Sequence, residues 1–412
     1  MASARFGKGE SAAIRISCFY CAAIKTRPCR GPVSYTHLDV YKRQELGLAE
    51  TWSSDYLVRM IADQGFSVQK PYCGLETAFR AEKGKGGPKI AFLAEYDALP
   101  GYGPAKDQTG HACGHNWIAA SSFGAAAVLG RLADELGCTA VWIGTPAEET
   151  VGGKVDLVRA GAFDDVDLVL QMHLGDRTEL RPHFLAMDSV EFTFEGVATH
   201  ASNTPERGVN ALDACNLTFC GINALRQHIT PDARIHGIIT QGGVAPNITP
   251  SHCVARFYVR AARRDYLNGL TEKVINCARG AELMTGAKMS YRYFENPFDD
   301  LNNCAPLLPV MEANLRAAGV EEFRDPGPNS AGSSDIGNVS HVCPTLYIPM
   351  ETGNTDGSCC HDEAFLAHVN GPEAYRALNR GVKGMAATAV DALCDEALWQ
   401  AVRTWIKRDA EN

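Results

Sequence analysis

The chain has 412 residues, of which 45% are hydrophobic and 21% are charged, values typical of a folded protein with a large core. They exclude a disordered chain, a collagen-like fibre and a coiled-coil rod. With 39 Lys and Arg residues against 48 Asp and Glu residues, the formal net charge is -9, so the charge gives no reason to bind nucleic acid or an anionic membrane.

Residues 1–44 differ in character from the rest of the chain. They are rich in Arg, Cys and Ser and have no sustained apolar period. The segment 33–44 (VSYTHLDVYKRQ) resembles a translated adapter or vector sequence. We therefore predict that 1–44 is a non-native or disordered leader and that the native chain begins near Glu45, a targeting segment being the alternative.

From residue 45 onward, apolar periodicity predicts helices that alternate with short strands. The predicted elements are a helix over 45–65, strands over 75–81 and 89–94, a helix over 116–136, a strand over 139–144, a helix over 153–160 and a strand over 166–172. This alternation predicts an α/β domain with a mostly parallel sheet. The Gly-rich stretch 84–88 is predicted to be a hairpin turn.

The pattern changes between residues 188 and 300. The predicted elements there are a strand over 189–195, a helix over 207–228, strands over 235–241 and 251–260, a helix over 265–284 and a strand over 287–293. This β-α-β-β-α-β order is typical of a small ferredoxin-like domain. A helix over 305–318, a strand over 344–349 and helices near 371–394 and 396–407 then restore the first pattern. We predict an α/β catalytic domain over 45–187 and 301–412, interrupted by a ferredoxin-like α+β domain over 188–300.

Residues with reactive side chains follow several of the predicted strands. They are Asp97, Cys113, His115, Glu148, Glu149, His173 and His361. In a parallel α/β sheet, functional groups gather beyond the carboxyl ends of the strands. Thiolate, imidazole and carboxylate ligands together suit a transition metal such as Zn²⁺ or Mn²⁺, and two adjacent glutamates are costly to bring together unless a cation offsets their charge. The pattern therefore predicts a metallohydrolase.

Several separated motifs carry a more specific resemblance. They are LAEYDALPG, GHACGHN, TPAEE, the Met172-His173 pair, GVATHAS and GGVAPNITPSH. In this order they resemble the M20 metallopeptidase/amidohydrolase superfamily, in particular the branch with aminoacylase-like, aminobenzoyl-glutamate and indoleacetyl-amino-acid hydrolases. The resemblance covers the chain from about residue 45 to the end.

The resemblance implies a site with two divalent metal ions per subunit, Zn or Mn. Cys113 would bridge the two ions, because this branch has Cys where other branches have Asp. The remaining implied ligands are His115, Glu149, His173 and His361.

The resemblance also implies roles for residues that are not ligands. Glu148 matches the general base, and Asp97 matches the residue that orients a ligand side chain. His200 matches a residue that reaches the partner subunit's active site and polarises the scissile carbonyl. Asn247 and Arg260 match positions that hold the substrate's free carboxylate, which an arginine grips with charge-assisted hydrogen bonds. The 188–300 domain would be a lid and the interface of a homodimer.

The chain departs from the family pattern at two places. Residues 102–109 (YGPAKDQT) lengthen the loop between the DALPG and HACGH motifs, and this loop should line the active site. Near the C-terminus, Cys359 and Cys360 precede His361, where relatives have a small residue and an open turn.

These observations favour a binuclear-metal amidohydrolase that cleaves N-acyl or N-aroyl amino acids with a free carboxylate. A dipeptidase of the same family is the alternative, and a non-catalytic subunit that binds amino-acid conjugates is the alternative from another class. The presence of Glu148 favours catalysis, and no Gly-x-Ser-x-Gly elbow supports a serine hydrolase. The odd count of 15 cysteines and the lack of a disulfide spacing predict reduced thiols and a cytoplasmic location.

Overall fold

The computed structural model describes residues 43–324, 332–354 and 356–406. The predicted leader lies outside the described residues except for its last two positions. The guanidinium of Arg43 lies 4.9 Å from the ring centre of Trp52, and the carbonyl of Gln44 accepts a hydrogen bond from the Thr109 hydroxyl at 2.7 Å.

The described chain forms twelve strands and nine α-helices. The strands are β1 (Ser67–Gln69), β2 (Phe79–Gly84), β3 (Lys89–Ala94), β4 (Leu99–Tyr102), β5 (Gln108–Gly110), β6 (Thr139–Gly144), β7 (Leu168–Gly175), β8 (Ala186–Glu195), β9 (Arg234–Gln241), β10 (His252–Ala261), β11 (Lys288–Tyr293) and β12 (Thr345–Glu351). The helices are α1 (Thr51–Ala62), α2 (His115–Leu136), α3 (Gly153–Arg159), α4 (Ala211–Leu225), α5 (Arg264–Thr285), α6 (Leu308–Ala317), α7 (Ile336–Ser340), α8 (Pro372–Cys394) and α9 (Glu396–Arg403).

These elements belong to two compact units. The first comprises the described residues of Met1–Pro182, Asn302–Pro328 and Asn338–Asn412, and the second those of His183–Leu301 and Asn329–Gly337. Each unit has its own sheet and its own buried apolar cluster.

The first unit is built on a six-stranded sheet with the order β1-β2-β6-β3-β7-β12. Strands β6, β3, β7 and β12 are parallel neighbours, whereas β2 pairs antiparallel with β6 and β1 with β2. Helix α2 packs against β3, β6 and β7, and α8 packs on α2 and α6. The predicted α/β class with a mostly parallel sheet is confirmed, and it places the carboxyl ends of four parallel strands along one edge.

The prediction of a hairpin turn at 84–88 is wrong, because β6 lies between β2 and β3. The glycines instead allow the backbone of this segment to pass close to the backbone at residues 137–138. A Cβ on Gly84 would lie 2.3 Å from the Cys138 carbonyl oxygen, and one on Gly87 would lie 1.8 Å from that of Gly137. The segment therefore crosses over the chain that leads into β6, where no larger residue fits.

The second unit has a four-stranded antiparallel sheet with the order β11-β8-β10-β9, and α4 and α5 pack against β8 and β10. Its order along the chain is β8-α4-β9-β10-α5-β11, in agreement with the β-α-β-β-α-β expectation.

A buried carboxylate joins three strands of this sheet. Glu191 of β8 lies directly opposite Arg256 of β10 on one side and Arg292 of β11 on the other. Arg256 Nε donates to one carboxylate oxygen at 2.6 Å, and Arg292 Nε donates to the other at 2.7 Å. Although burial disfavours its charged form, these hydrogen bonds lower the pKa of Glu191.

None of the described helices combines the length and the apolar character needed to cross a membrane.

Candidate metal centre

The candidate ligands of the first unit gather at the carboxyl ends of its parallel strands. Glu148 and Glu149 follow β6, and Cys113 directly precedes helix α2. His173 lies within β7, which continues to Gly175 rather than ending at residue 172 as predicted. The longer strand reflects pairing with β12, in which His173 lies opposite Pro349.

Two sets of potential ligand atoms share one thiol. Cys113, His115 and His173 form one set, and Cys113, Glu149 and His361 form the other. Within each set, the ligand atoms all lie within 4.8 Å of one another. The structure thus brings together all five residues that were predicted to ligate metal.

The distances between these atoms suit ligands of shared ions. Cys113 Sγ lies 3.5 Å from His173 Nε2, and Glu149 Oε1 lies 3.7 Å from His115 Nε2 and 3.4 Å from His361 Nε2. Nitrogen and oxygen ligands at about 2.1 Å from a tetrahedral zinc ion are separated by about 3.4 Å. The side chains therefore need only small adjustments to hold a cation.

Asp97 positions two of these residues at once. Its Oδ1 accepts a hydrogen bond from His115 Nδ1 at 2.7 Å, and its Oδ2 accepts the Glu149 amide at 2.9 Å. Because Nδ1 of His115 carries the proton, Nε2 presents its lone pair to the site. His173 is held similarly, since its Nδ1 donates to the Leu174 carbonyl at 2.7 Å.

The centre has a strongly negative potential. Although burial disfavours the imidazolium, Asp97 and Glu95 raise the pKa of His115 well above its usual value. Burial likewise opposes ionisation of Glu149, but the imidazoles of His361 and His115 lower its pKa to about 2. These carboxylates therefore favour a positive charge among them.

Buried polar atoms at the centre provide a direct test of whether a cation fits. Glu95 Oε2, His115 Nε2 and Glu149 Oε1 are buried and form no hydrogen bond within the described part of the chain. They face one another, with His115 Nε2 at 3.5 Å from Glu95 Oε2 and 3.7 Å from Glu149 Oε1. Unpaired buried polar atoms are costly, whereas a cation among them would satisfy all three, so the residues fit a metal.

Glu148 lies beside the two ligand sets. Its side chain is 11% exposed, and its Oε2 lies 4.0 Å from His115 Nε2. The turn that carries it contains Ala147 at a φ of 63°, a region that non-glycine residues rarely occupy. The Ala147 amide donates to the carboxylate of buried Glu50 at 2.8 Å, which holds this turn in place.

The remaining predicted site residues lie in the second unit. His200 and Asn247 are exposed and lie on adjacent segments, joined by the Ala201 amide, which donates to the Asn247 carbonyl at 3.0 Å. Arg260 lies on β10, and its Nη1 donates to Ser333 Oγ at 3.0 Å. Burial lowers the pKa of Arg260, and its Nε has no hydrogen-bond partner among the described residues.

The model of peptidase family M20/M25/M40 matches residues 91–391. The chain therefore belongs to this family. It is 37% identical over 356 residues to the Xaa-Arg dipeptidase of Mus musculus, a match that covers 82% of this chain and 79% of that protein. It is 33% identical to one of the p-aminobenzoyl-glutamate hydrolase subunits of Escherichia coli, over 62% of this chain and 56% of that one.

A solved M20 structure has the same fold. A dinuclear metal binding peptidase from Bacillus subtilis superimposes with a TM-score of 0.66 at 23% identity, over 88% of this chain and 97% of the other. The present protein is accordingly a hydrolase of the M20 family, with relatives named as a dipeptidase and as an aminobenzoyl-glutamate hydrolase.

The segment 102–109, which was predicted to lengthen the family pattern, is partly a hairpin. Strands β4 and β5 pair antiparallel, and the Tyr102 hydroxyl donates to the His361 carbonyl at 2.9 Å. The Gly103 amide and Lys106 Nζ both donate to the Glu363 carboxylate, at 3.1 and 2.5 Å. The hairpin therefore fastens the segment that carries His361, one of the predicted ligands.

His361 itself differs from the other imidazoles of the centre. Its side chain is 58% exposed, whereas that of His115 is fully buried and that of His173 is 13% exposed. Its φ is 77°, and its amide donates to the Ala112 carbonyl at 3.0 Å. Of the two cysteines before it, Cys359 is exposed, while Cys360 is partly buried and donates to the Leu174 carbonyl at 3.4 Å.

One group at the centre was not predicted from the sequence motifs, the buried residues Glu95, Lys154 and Gln171. Glu95 Oε1 accepts hydrogen bonds from Lys154 Nζ at 2.5 Å and from Gln171 Nε2 at 2.7 Å. Although burial disfavours ionisation, Lys154 and then His115 lower the pKa of Glu95 to about 2. A usable signal was present, because alternate residues of an extended chain face the same side, and Glu95 is two positions before Asp97.

Proposed function

We propose that this M20 protein is a binuclear-metal-dependent amidohydrolase that cleaves the amide bond of small amino-acid conjugates with a free carboxylate. The observation that carries the proposal is the pair of ligand sets that share Cys113, with Glu148 beside them. The similar fold of the Bacillus subtilis protein, which is named a dinuclear metal binding peptidase, supports the same interpretation.

Five residues would hold the two divalent ions, Zn or Mn: Cys113, His115, Glu149, His173 and His361. When bound, such ions lower the pKa of a coordinated water towards ~7 and polarise a carbonyl group. Asp97 keeps the His115 imidazole and the Glu149 backbone in place while this happens.

Glu148 would move the proton of the reaction. As a carboxylate next to the ligand Glu149, it accepts one proton from the attacking water as the new carbon–oxygen bond forms. It then gives that proton to the leaving nitrogen as the carbon–nitrogen bond breaks, so that a free amine and a free acid are released. A protein that only binds conjugates has no use for this base, and the presence of Glu148 therefore supports an enzyme.

The second unit would recognise the substrate. Arg260 and Asn247 are proposed to hold the free carboxylate, and His200 to polarise the scissile carbonyl in the partner subunit of a homodimer formed through this unit. The partly buried Arg260 supports the first role, because its Nε has no hydrogen-bond partner among the described residues and a guanidinium donor suits a carboxylate.

The acyl side of the substrate separates two candidates. N-acyl and N-aroyl amino acids fit the relative named p-aminobenzoyl-glutamate hydrolase, and dipeptides fit the relative named Xaa-Arg dipeptidase. Because the match to the Xaa-Arg dipeptidase has the greater identity and coverage, dipeptides are the second substrate class to test. We also propose a cytoplasmic location, which the free thiols of all described cysteines support.

The test combines metal analysis with a substrate panel. The metal content of the purified protein is measured by inductively coupled plasma mass spectrometry. Hydrolysis is then followed before and after chelation with a panel of p-aminobenzoyl-glutamate, an N-acetyl amino acid, an indoleacetyl-amino acid and several dipeptides, including Xaa-Arg. We expect two Zn or Mn ions per subunit and chelator-sensitive cleavage of one substrate class. Glu148→Gln should keep both ions and lose at least ~100-fold in kcat. Turnover that survives complete metal removal contradicts the proposal.

A further inference from the structure

We propose that Glu95 is a sixth protein ligand of the metal centre, held in position by Lys154 and Gln171, an inference that rests on the proposed function. The carboxylate would bind through Oε2 to the ion that His115 and His173 hold. Glu95 lies within the LAEYDALPG motif, but the resemblance assigned it no role.

The two oxygens of Glu95 have different surroundings. Oε1 accepts hydrogen bonds from Lys154 Nζ and Gln171 Nε2. Oε2 is buried and has no hydrogen-bond partner among the described residues. A fully buried ionised carboxylate requires a partner for each of its two oxygens. In Glu95, Oε2 is the oxygen without a hydrogen-bond partner among the described residues.

The free oxygen is directed at the candidate ligands. Oε2 lies 3.5 Å from His115 Nε2 and 3.9 Å from His173 Nε2. These two nitrogens are the atoms that point their lone pairs into the site, because Asp97 and the Leu174 carbonyl take their Nδ1 protons. Two ring nitrogens and a carboxylate oxygen that converge in this way form a ligand set that suits a divalent cation, which takes the place of a proton among them.

Lys154 and Gln171 fix the direction of this carboxylate. Both donors are almost fully buried, and both bind the same oxygen, so the carboxylate cannot rotate to exchange Oε1 for Oε2 without breaking two hydrogen bonds. Lys154 also offsets the negative charge of Glu95. This reduces the repulsion between the carboxylates of Glu95 and Glu149 at the centre.

Glu50 shows what a purely structural buried glutamate looks like in the same unit. It is as fully buried as Glu95, but both of its oxygens are used. Oε1 accepts the Ala147 amide at 2.8 Å, and Oε2 accepts the Thr77 hydroxyl at 3.0 Å. Glu50→Gln serves as the control for Glu95→Gln, because burial raises the pKa of Glu50 to about 7 and a glutamine keeps an acceptor oxygen for the Ala147 amide that anchors the turn before Glu148.

The experiment measures metal binding rather than turnover. Wild type, Glu95→Gln and Glu50→Gln are stripped with a chelator and titrated with Zn²⁺ against a chromophoric competitor, and their Co²⁺ forms are compared by visible absorption. Loss of an outer hydrogen-bond partner weakens metal binding by about 10–100-fold, so for a true ligand we expect Glu95→Gln to lose at least ~100-fold for one ion and to change the Co²⁺ spectrum. Glu50→Gln should match wild type.

The outcomes separate this inference from the proposed function. If wild type binds two ions and Glu95→Gln binds them with less than ~100-fold loss and an unchanged Co²⁺ spectrum, Glu95 is no ligand and the inference is overturned alone. If wild type binds no metal, the proposed function fails and this inference with it. Circular dichroism shows whether Glu95→Gln folds. If it does not, the double variant Glu95→Gln/Lys154→Met, which removes both charges of the buried pair, is compared with Lys154→Met by the same metal titration and Co²⁺ spectra.

Discussion

Nδ1 of His115 lies 2.7 Å from the carboxylate of Asp97, which with its other oxygen accepts the Glu149 amide at 2.9 Å. One buried side chain thus sets the tautomer of an imidazole and the position of a neighbouring ligand. The two residues it holds come from different elements, the start of α2 and the turn after β6.

Asp97→Asn should therefore weaken metal binding without changing any ligand. An asparagine has one acceptor oxygen, so its NH2 group must face either the His115 Nδ1 proton or the Glu149 amide. We expect a loss of about 10–100-fold in Zn²⁺ affinity by competition titration. Asp167→Asn is the control, because Asp167 accepts the Lys89 amide at 2.9 Å away from the centre. Equal affinities in both variants would contradict the positioning role.

Cys113 and His361 should differ in how many ions they retain. Cys113 belongs to both ligand sets, whereas His361 belongs to one. Cys113→Ala is expected to lose both ions, and His361→Ala to lose one and keep the other, when metal content is measured after dialysis. Identical metal content in the two variants would show that the thiol is not shared.

His200 can be tested by mixing two inactive variants. If His200 acts in the partner subunit, His200→Ala and Glu148→Gln are each inactive alone. Half of the dimers formed on co-refolding are mixed, and each mixed dimer contains one intact site, so about a quarter of the wild-type rate should return. Recovery of no activity, with mixed dimers verified by mass spectrometry, would place His200 outside a shared site.

The buried Glu191 of the second unit makes stability depend on pH. Its pKa is lowered in the folded state, so its contribution is present above the ordinary glutamate pKa of about 4.3 and is lost as the pH falls through the folded value. Because Arg256 and Arg292 are largely exposed, with 44% and 60% accessible side chains, we expect Glu191→Gln to lower the free energy of unfolding by only about 1 kcal/mol at pH 7.

Denaturant unfolding at pH 7 and at pH 3.5 checks this prediction. The difference between wild type and Glu191→Gln should shrink at the lower pH, where the wild-type carboxylate begins to protonate. Glu195→Gln on the same strand is the control, because Glu195 is 59% exposed and pairs with His252 at the surface. A difference for Glu191→Gln that is equal at both pH values would mean that the charge is not its cause.

Local periodicity predicted most of the helices and strands, because apolar spacing is a property of single elements. The helix at His115–Leu136 and the strand at Thr139–Gly144 were predicted to within one residue. Pairing between strands depends on distant segments, and the 84–88 turn was therefore misread as a hairpin although β6 separates its strands.

At the candidate centre, too, the local motifs could be predicted from the sequence, whereas contacts between distant segments could not. Motif resemblance named the residues that the structure brings together around Cys113. It did not name Glu95 or Tyr102, because their partners, Lys154 and the His361 carbonyl, are 59 and 259 positions away in the sequence. Only the folded chain shows that one oxygen of Glu95 is occupied and the other is not.

The unequal exposure of the imidazoles would give two bound ions different routes of departure. In the proposed centre one ion would have His115 and His173 as nitrogen ligands, which are 0% and 13% exposed, and the other would have His361, which is 58% exposed. Solvent and small chelators would be expected to reach the His361 side of the centre first. The two sites would therefore differ in exchange rate even at equal affinity, and a brief chelator pulse would yield a half-loaded protein in which the vacated position can take a second, different metal.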